Sequence, residues 1–361
     1  MKKLFVFGVL CILVLIAAAC VTAEGPAGST PTEELALVGL DTSTPAPSPT
    51  ETAAPDTPTA EPPIQLVEVG ALEDIGSVVD VHLAGDYAYL ADSFGGLRVV
   101  DVSDPTQPVQ VSAFESPGST RGQGVFVVEP YLYLADGQGV RVLDIADLTA
   151  PEVVGFYDTL GFALDLQIID DLAYVAAREG GLYIGDFTDP TDPRHVSQLF
   201  DAGTDHVLDV QVSGDYAYVA MQGQGLKIVD VSQPDKPVIV GNLDTDGMAE
   251  AVVVDGGLVY LADGEVGIKV LDVSDPTAPT EVGRFDTPGY AQDLVLLDGY
   301  LYIADGPSRS LLVLDLNDPT NPLLMTEYET TGFVWGVTLS GSDAFLALGE
   351  QGLSIVSVEV N

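Results

Sequence analysis

Cysteine is almost absent from this 361-residue chain: it occurs only at Cys11 and Cys20, so nothing beyond residue 20 can form a disulfide or a thiolate metal site. Cationic residues are scarce too. Twelve Lys+Arg stand against 55 Asp+Glu, and the formal charge of −43 repels phosphates and anionic headgroups, so nucleic acid is not expected as a partner. The histidines are His82, His195 and His206, with no close pair among them, and no HExxH, GxSxG or phosphate-cradling glycine loop occurs in the right setting. Neither a catalytic constellation nor a metal or cofactor site therefore has a sequence signature. Long stretches with the 3.6-residue apolar period of a helix are missing outside the N-terminus as well. With 38 Gly and 24 Pro, the expectation is an all-β chain of short strands and turns.

What is present begins with an export pattern. Lys2 and Lys3 precede an apolar run from Leu4 to Ile16, followed by Ala17, Ala18 and Ala19 directly before Cys20. The run is shorter than the roughly 20 residues of a membrane span. Cys after three alanines resembles the bacterial lipobox, which implies a leader over 1–20, acylation of Cys20 and an extracytoplasmic, lipid-anchored protein. Residues 21–63 carry no Lys or Arg and become rich in Thr, Pro, Ala, Ser and Glu, as in TSTPAPSPTETAAPDTPTAEPP. Such a composition cannot build a core and is expected to form an extended, disordered stalk.

From residue 64 onward the sequence repeats itself at a spacing of about 43 residues. An aromatic strand recurs as YAYLAD (87–92), YLYLAD (131–136), LAYVAA (172–177), YAYVAM (216–221), LVYLAD (258–263), YLYIAD (300–305) and AFLALG (344–349), giving seven units. A second anchor follows in six of them, for example LRVVDVSDPTQP from Leu97 and IKVLDVSDPTAP from Ile268. Each unit reads as four strands whose near-continuous apolar runs require cover on both faces. Blades stacked around an axis provide that cover, so 64–361 is expected to be a seven-bladed β-propeller of four-stranded antiparallel blades. The second Pro of each turn, such as Pro108 and Pro279, opens a strand that belongs at an outer edge, because Pro cannot donate a ladder hydrogen bond. The seventh unit lacks an outer strand of its own, while LVEVGALEDIG (66–76) resembles the outer strand TEVGRFDTPG (280–289). The N-terminal strand is therefore predicted to close the ring.

The repeated LxVVDVSDPxxP units resemble the LVIVD-repeat family, a group of exported propellers of largely undefined function. The resemblance covers nearly everything after residue 64; Leu148 replaces the first turn Pro in unit two, and Gln233 replaces the Asp in unit four.

Binding residues of a repeat protein belong where the units differ. The crossover loops, predicted to share one rim, carry Arg121, Gln123, Phe162, His206, Met248, Glu250, Tyr290, Gln292, Phe333 and the sole tryptophan, Trp335. Two roles stay open for the aromatics among them: an interaction face, or plugs that pack the channel mouth. Aspartates recur in two sets, Asp80, Asp165, Asp209 and Asp293, then Asp92, Asp136, Asp263 and Asp305. Both sets can ring the axis near that rim, either as oxygen ligands of the kind Ca²⁺ takes or as acceptors for turn N–H groups. The expected function is a surface-displayed, non-catalytic binding or scaffold module that engages a protein or glycan through one rim. The alternative is an extracytoplasmic hydrolase or lyase with a carboxylate- or calcium-assisted site in the central funnel.

Overall fold

The computed structural model describes residues 64–94, 96–116, 123–199 and 206–360. They form seven four-stranded antiparallel sheets and no helix. Blade 1 is Val78–Ala84, Tyr87–Asp92, Gly96–Asp101 and Val109–Glu115 (β2–β5), paired in sequence order from the axis outward. Blades 2 to 6 repeat the pattern over 124–158 (β6–β9), 165–199 (β10–β13), 209–243 (β14–β17), 251–285 (β18–β21) and 291–329 (β22–β25).

Blade 7 is different. Its inner three strands are Gly336–Ser340, Asp343–Ala347 and Leu353–Val360 (β26–β28), and its outer strand is Ile64–Leu72 (β1), antiparallel to β28 with Ile64 opposite Val360. The N-terminal strand thus closes the ring as the sequence predicts. Gly70 shows that β1 takes the full role of an outer strand. A Cβ there would stand 2.0 Å from the Pro105 carbonyl oxygen in blade 1's turn, and Gly155, Gly241 and Gly283 meet the turn of the next blade in the same way.

The middle strands are buried on both faces because every blade is sandwiched between two others. Tyr89, Leu90, Leu97, Val99 and Val100 of blade 1 are all buried, and seven apolar clusters each join two neighbouring blades. The Asp-Pro turns fold on their own aspartates. Asp104 Oδ1, for instance, accepts from the Thr106 N–H at 3.0 Å and the Thr106 hydroxyl at 2.7 Å, and the same bonds recur at Asp147, Asp189, Asp275 and Asp318. These local bonds explain why short polar side chains hold the turn positions.

Candidate functional site: a funnel at one end of the axis

The residues at the start of the inner strands converge on a funnel of about 840 Å³. Equivalent positions in blades 1 to 7 contribute Val79, Gln123, Leu164, Leu208, Glu250, Gln292 and Trp335, so the wall changes chemistry at every step while the backbone behind it repeats. Below this layer the inner strands present Asp80, Gly124, Asp165, Asp209, Ala251, Asp293 and Gly336.

The four carboxyls of that layer staple neighbouring blades. Asp80 accepts from its own strand at Val81 N and from blade 2 at Val125 N, 2.7 and 2.8 Å. Asp209 does the same with Val210 and Val252, and Asp293 with Leu294 and Val337. Each reaches across to a blade whose equivalent residue is Gly124, Ala251 or Gly336, where a small side chain leaves room. Asp165 faces Asp209 instead, and the two carboxyls share a hydrogen bond. Burial in the channel pushes Asp80 up to about 6 against the lowering effect of its N–H donors. Burial, with the charges of Asp80 and Asp209, takes Asp293 to about 8. Burial and the neighbouring Asp209 charge hold Asp165 well above the usual carboxylate range.

The second aspartate set does not line this channel. Asp92, Asp136, Asp263 and Asp305 lie buried under the crossovers, one strand further out. Asp92 accepts from Ser77 N, Phe94 N and the Arg98 guanidinium, and Asp136 from Ser116 Oγ and Arg141. Thr245 Oγ serves Asp263, while Gly289 N and Ser308 Oγ serve Asp305. Ringing the axis therefore holds for the first set only. The side chain three residues past the second aromatic position of the strand tucks under the loops, whereas the inner-strand side chain points to the axis. Among the described residues no three of His, Cys, Asp and Glu gather closely enough to hold a metal ion.

Met248 is exposed outside the funnel lining, and the other predicted rim residues divide into three groups. Gln123, Phe333 and Trp335 line the funnel, as do Glu250 and Gln292. Phe162, Tyr290 and His206 stand behind it. Phe162 lies over Gly137 and Tyr290 over Gly264; the Tyr290 hydroxyl donates to the Glu250 carboxylate, whose proton affinity burial raises. His206 Nδ1 receives the Arg178 Nε–H at 3.2 Å. Arg121 and Cys20 lie outside the described residues. Phe333 and Trp335 are 45% and 40% exposed, so they flank the opening and do not plug it. Their rings meet edge to face at 6.4 Å, and the Arg309 guanidinium covers the Phe333 ring at 5.4 Å. Trp335 depends on Gly349, which has φ +60° and would place a Cβ 3.0 Å from the indole Nε1.

Sequence reasoning missed Phe94, Arg309, Glu350 and Gln351, which also line the funnel. They sit in the loops between the second and third strands of blades 1, 6 and 7, which share this end of the disc with the crossovers.

The LVIVD-repeat signature matches residues 75–115, 118–159, 160–199, 205–245, 246–287 and 288–330, each one crossover plus one blade. The chain belongs to the LVIVD-repeat family. No curated protein matches this family member significantly. Solved structures share its architecture at low identity. The WD40 β-propeller domain of Doa1 aligns with a TM-score of 0.66 at 14% identity, over 81% of this chain and 97% of that one. The Myceliophteria thermophila Cps50 (Swd1) β-propeller domain gives 0.66 at 12%, over 82% and 100%. Chaetomium thermophilum Raptor gives 0.69 at 12%, over 81% of this chain and 29% of Raptor. These likenesses concern the fold alone.

Proposed function

We propose that this LVIVD-repeat propeller is a non-catalytic binding or scaffold module that engages a protein or glycan partner through the funnel rim. The carrying observation is the wall itself, where seven equivalent positions hold Val, Gln, Leu, Leu, Glu, Gln and Trp on an otherwise repeated frame. A frame conserved between units with divergent residues at one end is how repeat proteins build a recognition face. The rival reading, a hydrolase or lyase, draws on the Asp165 and Asp209 pair. Asp209, however, already accepts two backbone N–H bonds, which suits a staple better than a nucleophile or base.

The test is capture of partners from native envelope extract by the immobilised full-length protein, compared with a Phe333→Ala, Trp335→Ala double variant. Capture is expected to fall. Stability should barely change, because rings this exposed forfeit far less than the roughly 3–5 kcal/mol of a buried Phe or Trp. Unaltered capture by the double variant would refute the rim reading.

We further propose that the protein is exported and anchored through acylated Cys20, on the strength of the ordered basic, apolar and small-residue segments before it. Cys20→Ser should abolish incorporation of a fatty-acid analogue and shift the protein out of the membrane fraction. Equal labelling of variant and wild type would overturn the anchor.

A further inference from the structure

We infer that the funnel takes an uncharged saccharide, one sugar ring stacking on Trp335 while Gln292, Gln351 and Glu350 hold its hydroxyls. This inference rests on the rim reading above and narrows it to a ligand class.

The funnel mouth holds unused bonding capacity. Gln292, Gln351 and Glu350 line the funnel, and among the described residues their side chains make no hydrogen bond or ion pair. Gln351 is nonetheless seated in place, for its Oε1 occupies the space a Cβ on Gly332 would need, 2.4 Å away. Two planar amides and a carboxylate offer forked donor and acceptor sets that match vicinal hydroxyls.

Beside them stands an aromatic wall with a fixed pose. Arg309 lies over the Phe333 ring, Phe333 braces Trp335 edge to face, and Gly349, with no Cβ, leaves room for the Nε1–Cδ1 edge of the indole. A sugar ring presents exactly this mixed surface, an apolar C–H face bordered by hydroxyls, and an amphipathic aromatic that need not be ordered on binding receives it at low entropic cost. The funnel's volume of about 840 Å³ falls within the range of small-ligand pockets, about 300–1,000 Å³.

Charge decides the class. Among the described residues six carboxyls line the funnel against one cation, Arg309, and even with Asp293 protonated at neutral pH the carboxylates outnumber it on a chain of net charge −43, so acidic sugars, phosphates and sulfates are repelled. A basic peptide is the competing guest. Its ammonium groups would need free carboxylates at the floor, but both oxygens of Asp80, Asp209 and Asp293 are already taken by backbone N–H donors. The floor is a closed set of staples, and the open hydrogen-bonding groups are at the mouth.

Trp335 is the only tryptophan in the chain, so its emission reports on this site alone. Full-length protein is titrated with short neutral oligosaccharides (glucan, xylan, mannan and galactan fragments), an oligogalacturonate and a lysine homopeptide, with calorimetry in parallel. At least one neutral oligosaccharide is expected to change the emission saturably, and the oligogalacturonate to leave it unchanged. Gln292→Ala and Gln351→Ala should each weaken binding about fivefold, the worth of one neutral hydrogen bond. Trp335→Phe should retain calorimetric binding, whereas Trp335→Ala should lose about tenfold or more. No response to any neutral sugar, or equal binding by Trp335→Ala and Gln351→Ala, overturns the saccharide. A response to the lysine peptide alone also overturns it but leaves the rim reading standing. The rim reading falls separately, through undiminished envelope capture by the Phe333, Trp335 double variant.

Discussion

Ile64→Ala isolates the contribution of ring closure. Ile64 is fully buried, packed with Tyr302, Leu311 and Val313 of blade 6 and Val356 and Val358 of blade 7. Truncating such a side chain costs about 3 kcal/mol, near the middle of the range for buried Ile or Leu to Ala. Unfolding entropy of about 2.1 cal/mol/K per residue gives a domain of about 300 residues about 0.6 kcal/mol/K, so the midpoint should fall by about 5 °C. The control is Val67→Ala in the same strand, 45% exposed, where a shift of about 1 °C or less is expected. Thermal unfolding of the full-length protein supplies the first readout. Amide exchange supplies the second: β28, whose ladder with β1 runs from Leu353 to Val360, should exchange faster in Ile64→Ala while blade 3 keeps its protection. If Ile64→Ala and Val67→Ala melt alike and β28 exchanges as in wild type, β1 is not what holds the ring shut.

Stability should also fall as pH rises from 5 to 9. Carboxyls whose folded pKa is raised, Asp80 to about 6 and Asp293 to about 8, stabilise the fold fully below their unfolded values and lose that contribution as pH climbs through the folded ones. Turn aspartates such as Asp147 and Asp275 are lowered by their Thr bonds, so their contribution disappears only at acid pH, outside this window. Melting at pH 5 and pH 9 tests the direction, and a flat or rising profile would refute the burial argument. Gly349→Ala forces a side chain into φ +60° and against the indole; it should cost about 1–2 kcal/mol and shift Trp335 emission, and an unchanged spectrum would show that the ring does not rest there.

The propeller and its closure were legible because a repeat reports the same constraint many times. Pro108 and its five counterparts marked the outer edge, and the likeness of 66–76 to 280–289 identified the missing strand. The site was legible only in part, since loop residues carry no such redundancy. Trp335, Phe333 and Gln123 followed from the crossovers, but Arg309, Glu350 and Gln351 sit in shorter loops whose glycines mask the intervening differences. Aligning the residue before each channel-facing position would have exposed the whole wall, including Val79, Leu164 and Leu208. The two aspartate sets looked alike in spacing. Only the strand each occupies separates a channel-facing staple from a cap under the loops.

The seam between β1 and β28 also sets a clock for synthesis. Ile64 emerges early and its partner Val360 follows 296 residues later (360 − 64), which at roughly 5–20 residues per second is roughly 15–60 s of translation. Throughout that interval blade 7 cannot exist, and blades 1 and 6 each keep one apolar face without its neighbour. A ribosome that stops anywhere before the last strand leaves an arc instead of a disc, with two open flanks available to chaperones and proteases. Closure of β1 on β28 thus couples blade 7 to the synthesis of every strand between them.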